Sequence, residues 1–169
     1  MSKNIIMADN KHADTFDLAG ALWKIQIPGS ETGNQFSLVE SISPPGIGSP
    51  LHRHIRADQA IYVLEGELEI VADSESFSFA KGETCLIRRG APHREINSSR
   101  SETRFITIHS PGFFSEFIRL AGVPVHAGTK VPPPSTQTID EARKLVEIGL
   151  EFDVEILTPL EKLVGTGKQ

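Results

Sequence analysis

Two histidines separated by one residue, His52-Arg53-His54, constrain this chain more than any other feature. In an extended strand, side chains at i and i+2 leave the same face. Both imidazoles therefore converge on one point, as a metal ion requires of a strand that supplies two ligands. Gln59 follows five residues after His54 and opens an apolar run, Ala60-Ile61-Tyr62-Val63-Leu64, that reads as the next strand. A third histidine, His93, comes after the turn-forming Arg89-Gly90-Ala91-Pro92, and Asn97 lies four residues beyond it. Imidazole nitrogens suit iron, nickel, copper, manganese and zinc. Three converging histidines thus predict a divalent transition-metal site, and ligand type alone does not say which ion fills it.

The surroundings are all β. Short alternating or apolar segments at 22–27, 36–42, 59–64, 67–71, 76–79, 84–87, 93–96 and 104–109 follow one another with turns at Glu65-Gly66, Ala72-Asp73 and Lys81-Gly82. No helical pattern interrupts them, which predicts a sandwich or barrel of antiparallel strands. Residues 43–50, Ser-Pro-Pro-Gly-Ile-Gly-Ser-Pro, are a loop that delivers the chain to His52. Alternation puts Ile61 and Val63 on the side of Gln59, so the site faces an apolar interior. It also turns Arg53 and Arg94 away from the histidines.

The pattern changes after His109. Ser110-Pro111-Gly112 breaks the strand, and residues 113–120 carry apolar residues at helical spacing. Residues 122–137 read as a loop stiffened by Pro132-Pro133-Pro134. Thr138-Ile139-Asp140-Glu141 is a capping-box signature for a helix to about residue 150, with Ala142, Leu145, Val146 and Ile148 as its buried stripe. A last short strand is expected at 152–157. The expected organisation is an N-terminal arm at 1–20, a β-barrel core at 21–110, and a helical extension at 111–169 packed on the barrel.

Composition narrows the partners. A chain of 169 residues with net charge −5 and no basic stretch is not expected to bind nucleic acid or an anionic membrane. The first 17 residues hold no apolar signal-like core, and no run is long enough to span a bilayer, so the expected compartment is the cytoplasm. Cys85 is the single cysteine. It has no internal disulfide partner and is expected to serve as a small buried hydrophobe. Packing against a sheet is the expected use of Trp23.

The spacing around the histidines resembles the cupin superfamily. The first cupin motif runs glycine, five residues, HxH, three or four residues, glutamate, six residues, glycine. Here it is Gly46, five residues, His52-Arg53-His54, four residues, Gln59, six residues, Gly66. The second runs glycine, five residues, PxG, two residues, histidine, three residues, asparagine. Here it is Gly82, five residues, Arg88-Arg89-Gly90, two residues, His93, three residues, Asn97. With six histidines in the chain, three prescribed positions are all histidine by chance roughly once in twenty thousand registers. Two identities depart from the pattern: Gln59 replaces the glutamate, and Arg88 replaces the proline. The tail, with SPG, FFSEFIRLAGVP, a proline-rich loop and EFDVEIL, is similar to single-domain quercetin 2,3-dioxygenase-like cupins.

That resemblance implies a double-stranded β-helix, the jelly-roll barrel, with short C-terminal helices. It implies a divalent metal on His52, His54 and His93, with Gln59 as a weak or outer ligand. The activity it implies is dioxygenase-type oxidation of a small enolisable or aromatic diol substrate, and the habit of the family is a homodimer. The alternatives are a non-catalytic small-molecule-binding cupin and a sugar-derivative isomerase or epimerase, the last disfavoured by the absence of another evident acid or base. In flavonol dioxygenases of this group the motif glutamate touches the metal and accepts the substrate proton, whereas an amide is no general base at neutral pH. Glu40, grouped by alternation with Phe36, Leu38 and Ile42, is one candidate replacement. His12, His109 and His126 lie outside the motifs and are expected to be solvated or packed.

Overall fold

The computed structural model describes residues 13–126 and 138–164, together with Ile5 and Thr129. Twelve strands run in the order β1 (Thr15–Leu18), β2 (Ala21–Ile27), β3 (Ser37–Ser43), β4 (His52–His54), β5 (Asp58–Glu65), β6 (Glu67–Ala72), β7 (Glu75–Ala80), β8 (Thr84–Ile87), β9 (His93–Ile96), β10 (Thr103–Ser110), β11 (Val123–Val125) and β12 (Val154–Ile156). Three helices, α1 (Phe114–Ala121), α2 (Ile139–Glu151) and α3 (Leu160–Leu163), belong to the C-terminal part. The strands form two antiparallel sheets, ordered β11-β1-β2-β3-β10-β5-β8 and β12-β4-β9-β6-β7. The architecture is the all-β double-stranded β-helix that the sequence implies.

Alternation decides what each strand buries. On β5, Gln59, Ile61 and Val63 are buried while Tyr62 is exposed; on β10, Phe105, Thr107 and His109 face inward. Val39 of β3 and Leu68 and Ile70 of β6 complete an apolar half of the interior with Trp23. Each such side chain contributes about 1.5–3 kcal/mol by leaving water. Trp23 packs edge-on against Phe105 and Phe114 and donates its ring N–H to Leu18 O at 3.2 Å. The other half of the interior is polar, and the site lies there.

Short strands at both ends of the described chain join the barrel sheets. Strand β1, inside the stretch expected to be an arm, pairs with β2 on one side and with β11 on the other. β11 in turn lies in the stretch expected to be loop. Strand β12 pairs with β4 in the register Val154↔His54 and Ile156↔His52, so the C-terminal segment braces the strand that carries two histidines. Asp153, buried at positive φ, accepts hydrogen bonds from the backbone N–H groups of Arg56 and Ala57 and from the Arg56 guanidinium. The capping box forms: Thr138 Oγ1 accepts from Glu141 N, and Glu141 Oε2 accepts from Thr138 N. Helix α2 buries Ala142, Leu145 and Gly149, with Val146 and Ile148 half-buried. The triple proline and His12 lie outside the described residues, and His126 is exposed. No described helix is long and apolar enough to cross a membrane.

Candidate metal centre

His52 and His54 of β4 and His93 of β9 are all buried, and their ligand nitrogens lie within 4.8 Å of one another. The two strands are adjacent, and His52 pairs directly with His93. The loops before them set the ring orientation in the same way twice. His52 Nδ1 lies 2.9 Å from Pro50 O, and His93 Nδ1 lies 2.9 Å from Ala91 O. A carbonyl only accepts, so each Nδ1 carries the proton and each Nε2 turns its lone pair inward. Fixing a ligand histidine through its other nitrogen is how proteins orient imidazoles toward a metal.

Gln59, opposite His109 on the neighbouring sheet, completes the group. Its Oε1 lies 2.9 Å from His93 Nε2, and its Nε2 lies 2.8 Å from Glu95 Oε1 and 3.1 Å from Thr107 Oγ1. The amide oxygen thus faces the imidazole lone pair, two acceptors with no hydrogen between them. Turning the amide over relieves that contact but sets Oε1 against the Glu95 carboxylate, again acceptor to acceptor. A cation among these groups, a metal ion or an additional proton, satisfies either arrangement. The donor set fits a divalent metal: three imidazoles whose ligand nitrogens gather at one point, an amide oxygen beside them, and a carboxylate close behind.

Two members of this constellation were not among the sequence candidates. Glu95 is buried, its Oε1 3.8 Å from His93 Nε2 and its Oε2 holding the Ser49 hydroxyl at 2.6 Å. Burial raises its pKa, but His52, His93 and the hydrogen bonds from Ser49 and Gln59 outweigh that and hold it at about 2, so it is ionised. The signal for Glu95 was present: two residues after His93, it must share that histidine's face by the same alternation that joins His52 to His54. His109, at the end of β10, is completely buried, with Nε2 3.1 Å from His54 Nε2 and its ring stacked on Phe114 at 4.0 Å. Burial pushes His109 down to about 3 and holds His52 and His54 below the usual imidazole value, so the imidazoles are neutral near pH 7.

Other candidates fall elsewhere. Glu40 is buried but lies outside the site: its carboxylate accepts from the Arg104 guanidinium at 2.6 Å and from Gln26, on the outward side of β3 and β10. It does not replace the motif glutamate. Arg53 pairs with Glu155, and Arg94 is exposed, both away from the histidines. Arg88 faces solvent beside Asp58. Asn97 spans its turn, donating to Ser43 O and Ser101 O. Cys85 is half-buried against the core, and burial raises its thiol to about 11, consistent with packing rather than nucleophilic chemistry.

A cavity adjoins the centre. Leu18, Trp23, Ile47 and Phe105 supply apolar walls, Ser41 and Glu95 polar ones. Ser41 Oγ is buried and has no hydrogen-bond partner. Glu95 is therefore both a wall of this cavity and a neighbour of His93. On the opposite flank Phe114 packs edge-on against His54 at 5.5 Å and lies over His109, closing the site with helix α1.

Comparison with known proteins agrees with the motifs. A family model described as Cupin domain matches residues 39–109. An uncharacterised protein of Methanocaldococcus jannaschii is 30% identical over 89 residues, 53% of this chain and 71% of that protein. Quercetin 2,3-dioxygenase of Bacillus subtilis is 29% identical over 116 residues, which are 68% of this chain but only 34% of the enzyme. The chain therefore spans about a third of that relative's length. The crystal structure of a Thermotoga maritima protein, described as a predicted oxalate decarboxylase, matches with a TM-score of 0.59 at 15% identity, covering 63% of this chain and 99% of that one. At that identity the likeness is one of fold. Motif spacing, sheet topology and relatives converge, and the chain belongs to the cupin superfamily.

Proposed function

We propose that the protein is a metal-dependent oxidoreductase of the dioxygenase type, acting on a small enolisable or aromatic diol substrate. The observation that carries this reading is the buried three-histidine cluster, with Gln59 and the Glu95 carboxylate beside it. The chain's resemblance to a quercetin 2,3-dioxygenase supports the reaction class. His52, His54, His93 and Gln59 are the residues to hold the ion. A redox-active divalent ion on such ligands supplies open coordination positions for a bidentate oxygen ligand and electron exchange with dioxygen.

The protein's own part is binding, orientation and exclusion of water. The cavity is small, about 30 Å³, with Trp23 and Phe105 among its apolar walls and the unpartnered Ser41 hydroxyl in its lining, so a substrate body enters only if these walls move. Glu95, ionised and already bonded to Ser49 and Gln59, accepts a hydrogen bond from a substrate hydroxyl better than it removes a proton. Substrates acidic enough to bind as enolates are therefore favoured. Phe114 shuts the far side against solvent.

A second reading, isomerisation of a sugar derivative, gains from one observation. Glu95 and His109 bring a carboxylate and an imidazole to the site, which the motif residues alone do not offer. The deciding experiment is elemental analysis of untagged protein beside a His52→Ala/His54→Ala control, followed by oxygen-electrode assays with flavonols and β-diketones. Near-stoichiometric iron, nickel, copper or manganese, lost in the control, together with oxygen uptake is the expected result. Zinc alone with no oxygen uptake on any of these substrates would sink the dioxygenase reading.

A further inference from the structure

The family's carboxylate is missing from β5, yet another carboxylate, Glu95 of β9, stands one hydrogen bond away. Gln59 occupies the motif position, and its Nε2 donates to Glu95 Oε1 at 2.8 Å. That bond decides which way the amide points: with Nε2 on the carboxylate, Oε1 is turned to His93 Nε2 at 2.9 Å, the side where the ligand nitrogens gather. The Thr107 hydroxyl can donate or accept, so it does not choose between amide orientations. Only Glu95 does. Glu95 is itself immobilised by a reciprocal pair of bonds with Ser49, whose hydroxyl donates to Oε2 at 2.6 Å and accepts from Glu95 N at 3.0 Å.

We propose that Gln59 and Glu95 together replace the motif glutamate: Gln59 Oε1 is the oxygen ligand, and Glu95 is the positioning residue that aims it and supplies the negative charge from β9. This assignment rests on the metal-centre reading above. The negative charge of the centre is then moved from one sheet to the other and not lost. A carboxylate that accepts from the ligand's amide N–H also increases electron density on the amide oxygen, which favours its bond to a cation. Because Glu95 also lines the cavity, the displaced charge lies between that cavity and the ligand set.

The arrangement predicts that the two side chains can be exchanged. In Gln59→Glu/Glu95→Gln, the carboxylate returns to β5 and the new amide on β9 donates to it, so the pair keeps one hydrogen bond and one negative charge. The measurement is titration of metal-stripped protein with Ni²⁺ by calorimetry and with Co²⁺ by visible absorption, each variant first checked for folding by circular dichroism. Glu95→Gln is expected to weaken Ni²⁺ binding about 10- to 100-fold, the range for loss of a group that orients a ligand. Gln59→Leu is expected to weaken it at least as much and to alter the Co²⁺ spectrum. The exchanged double variant is expected to bind within a few-fold of wild type. A folded Glu95→Gln protein with wild-type affinity would overturn the assignment, as would an exchanged variant no tighter than Glu95→Gln. Wild-type protein that takes up neither ion, with its fold intact, overturns the metal-centre reading along with it. That outcome is distinguishable, because in the other two the wild type binds.

Discussion

His109 Nε2 lies 3.1 Å from His54 Nε2 in the closed flank of the barrel, and His109 Nδ1 is buried with no partner. The two rings share one hydrogen-bond position, so one nitrogen donates and the other accepts. An extra proton on His109 Nδ1 would place a buried charge with no acceptor, in a flank where His109 stacks on Phe114.

Acid should therefore destabilise the metal-free protein through its histidines. Burial lowers His52, His54 and His109 in the folded state, whereas in the unfolded chain they titrate near 6.5. Below that value the unfolded chain binds more protons, so stability is present above about pH 6.5 and is lost as pH falls toward the folded values. For His109, held at about 3, the loss between pH 7 and pH 5 is about 2 kcal/mol, and His52 and His54 add to it in the same direction. Urea unfolding of metal-stripped protein at the two pH values measures the sum, and His109→Gln should remove one increment. Equal stability at both pH values would contradict the neutral-cluster assignment.

Asp153 ties the α2–β12 turn to the segment between β4 and β5 through two backbone N–H groups and a guanidinium. Its removal leaves the Ala57 donor buried without a partner. Asp153→Ala is expected to cost about 3 kcal/mol in denaturant unfolding, from the lost charge-assisted bonds and the orphaned donor. Asp153→Asn should cost less, because asparagine also tolerates the positive φ. An alanine variant within experimental error of wild type would show that the turn holds without the carboxylate.

Gly66 adopts φ +77, and a Cβ there would sit 2.8 Å from Thr103 Oγ1 and 2.9 Å from Glu102 O. Gly82 has φ +90 but open space around it. Both alanine substitutions carry left-handed backbone strain of about 1–2 kcal/mol, and only Gly66→Ala adds a collision. Paired unfolding curves should place Gly66→Ala below Gly82→Ala. The reverse order would refute the close approach of the β5–β6 turn to the start of β10.

Cys85 offers a chemical readout of the same packing. With its thiol raised to about 11, the thiolate at pH 8 is about a hundredfold scarcer than in an unfolded chain. Iodoacetamide labelling of native protein should be slower by at least about that factor than labelling in denaturant. Equal rates would mean that β8 does not cover the sulfur.

How much of this was legible beforehand follows from the range of each interaction. Alternation is local, so the strands that carry His52, His54, Gln59 and His93, and the face each residue takes, were readable from period and turn signals. So was the capping box at Thr138, whose two partners are three residues apart. Glu95 was also within reach, since the i, i+2 rule that joins the first two histidines applies equally after the third. The motif, however, places its carboxylate at position 59 and assigns no role to position 95.

His109, Glu40 and Asp153 belong to a different class. Whether a buried histidine at a strand end meets His54 or merely packs depends on β10 lying beside β5, in the register His109↔Gln59. Alternation placed Glu40 on a face shared with Leu38 and Ile42, but only the pairing of β3 with β10 shows that this face is the outer one, where Arg104 waits. Strands β1 and β11 are short, and each is defined by its partner rather than by its own pattern, whereas β12 falls within the strand expected at 152–157. Sequence alone determined the period, the turns and the three histidines, because these are set by backbone geometry over a few residues. Tertiary structure decided which charges reach the site, because strand register brings together residues that no spacing along the chain relates.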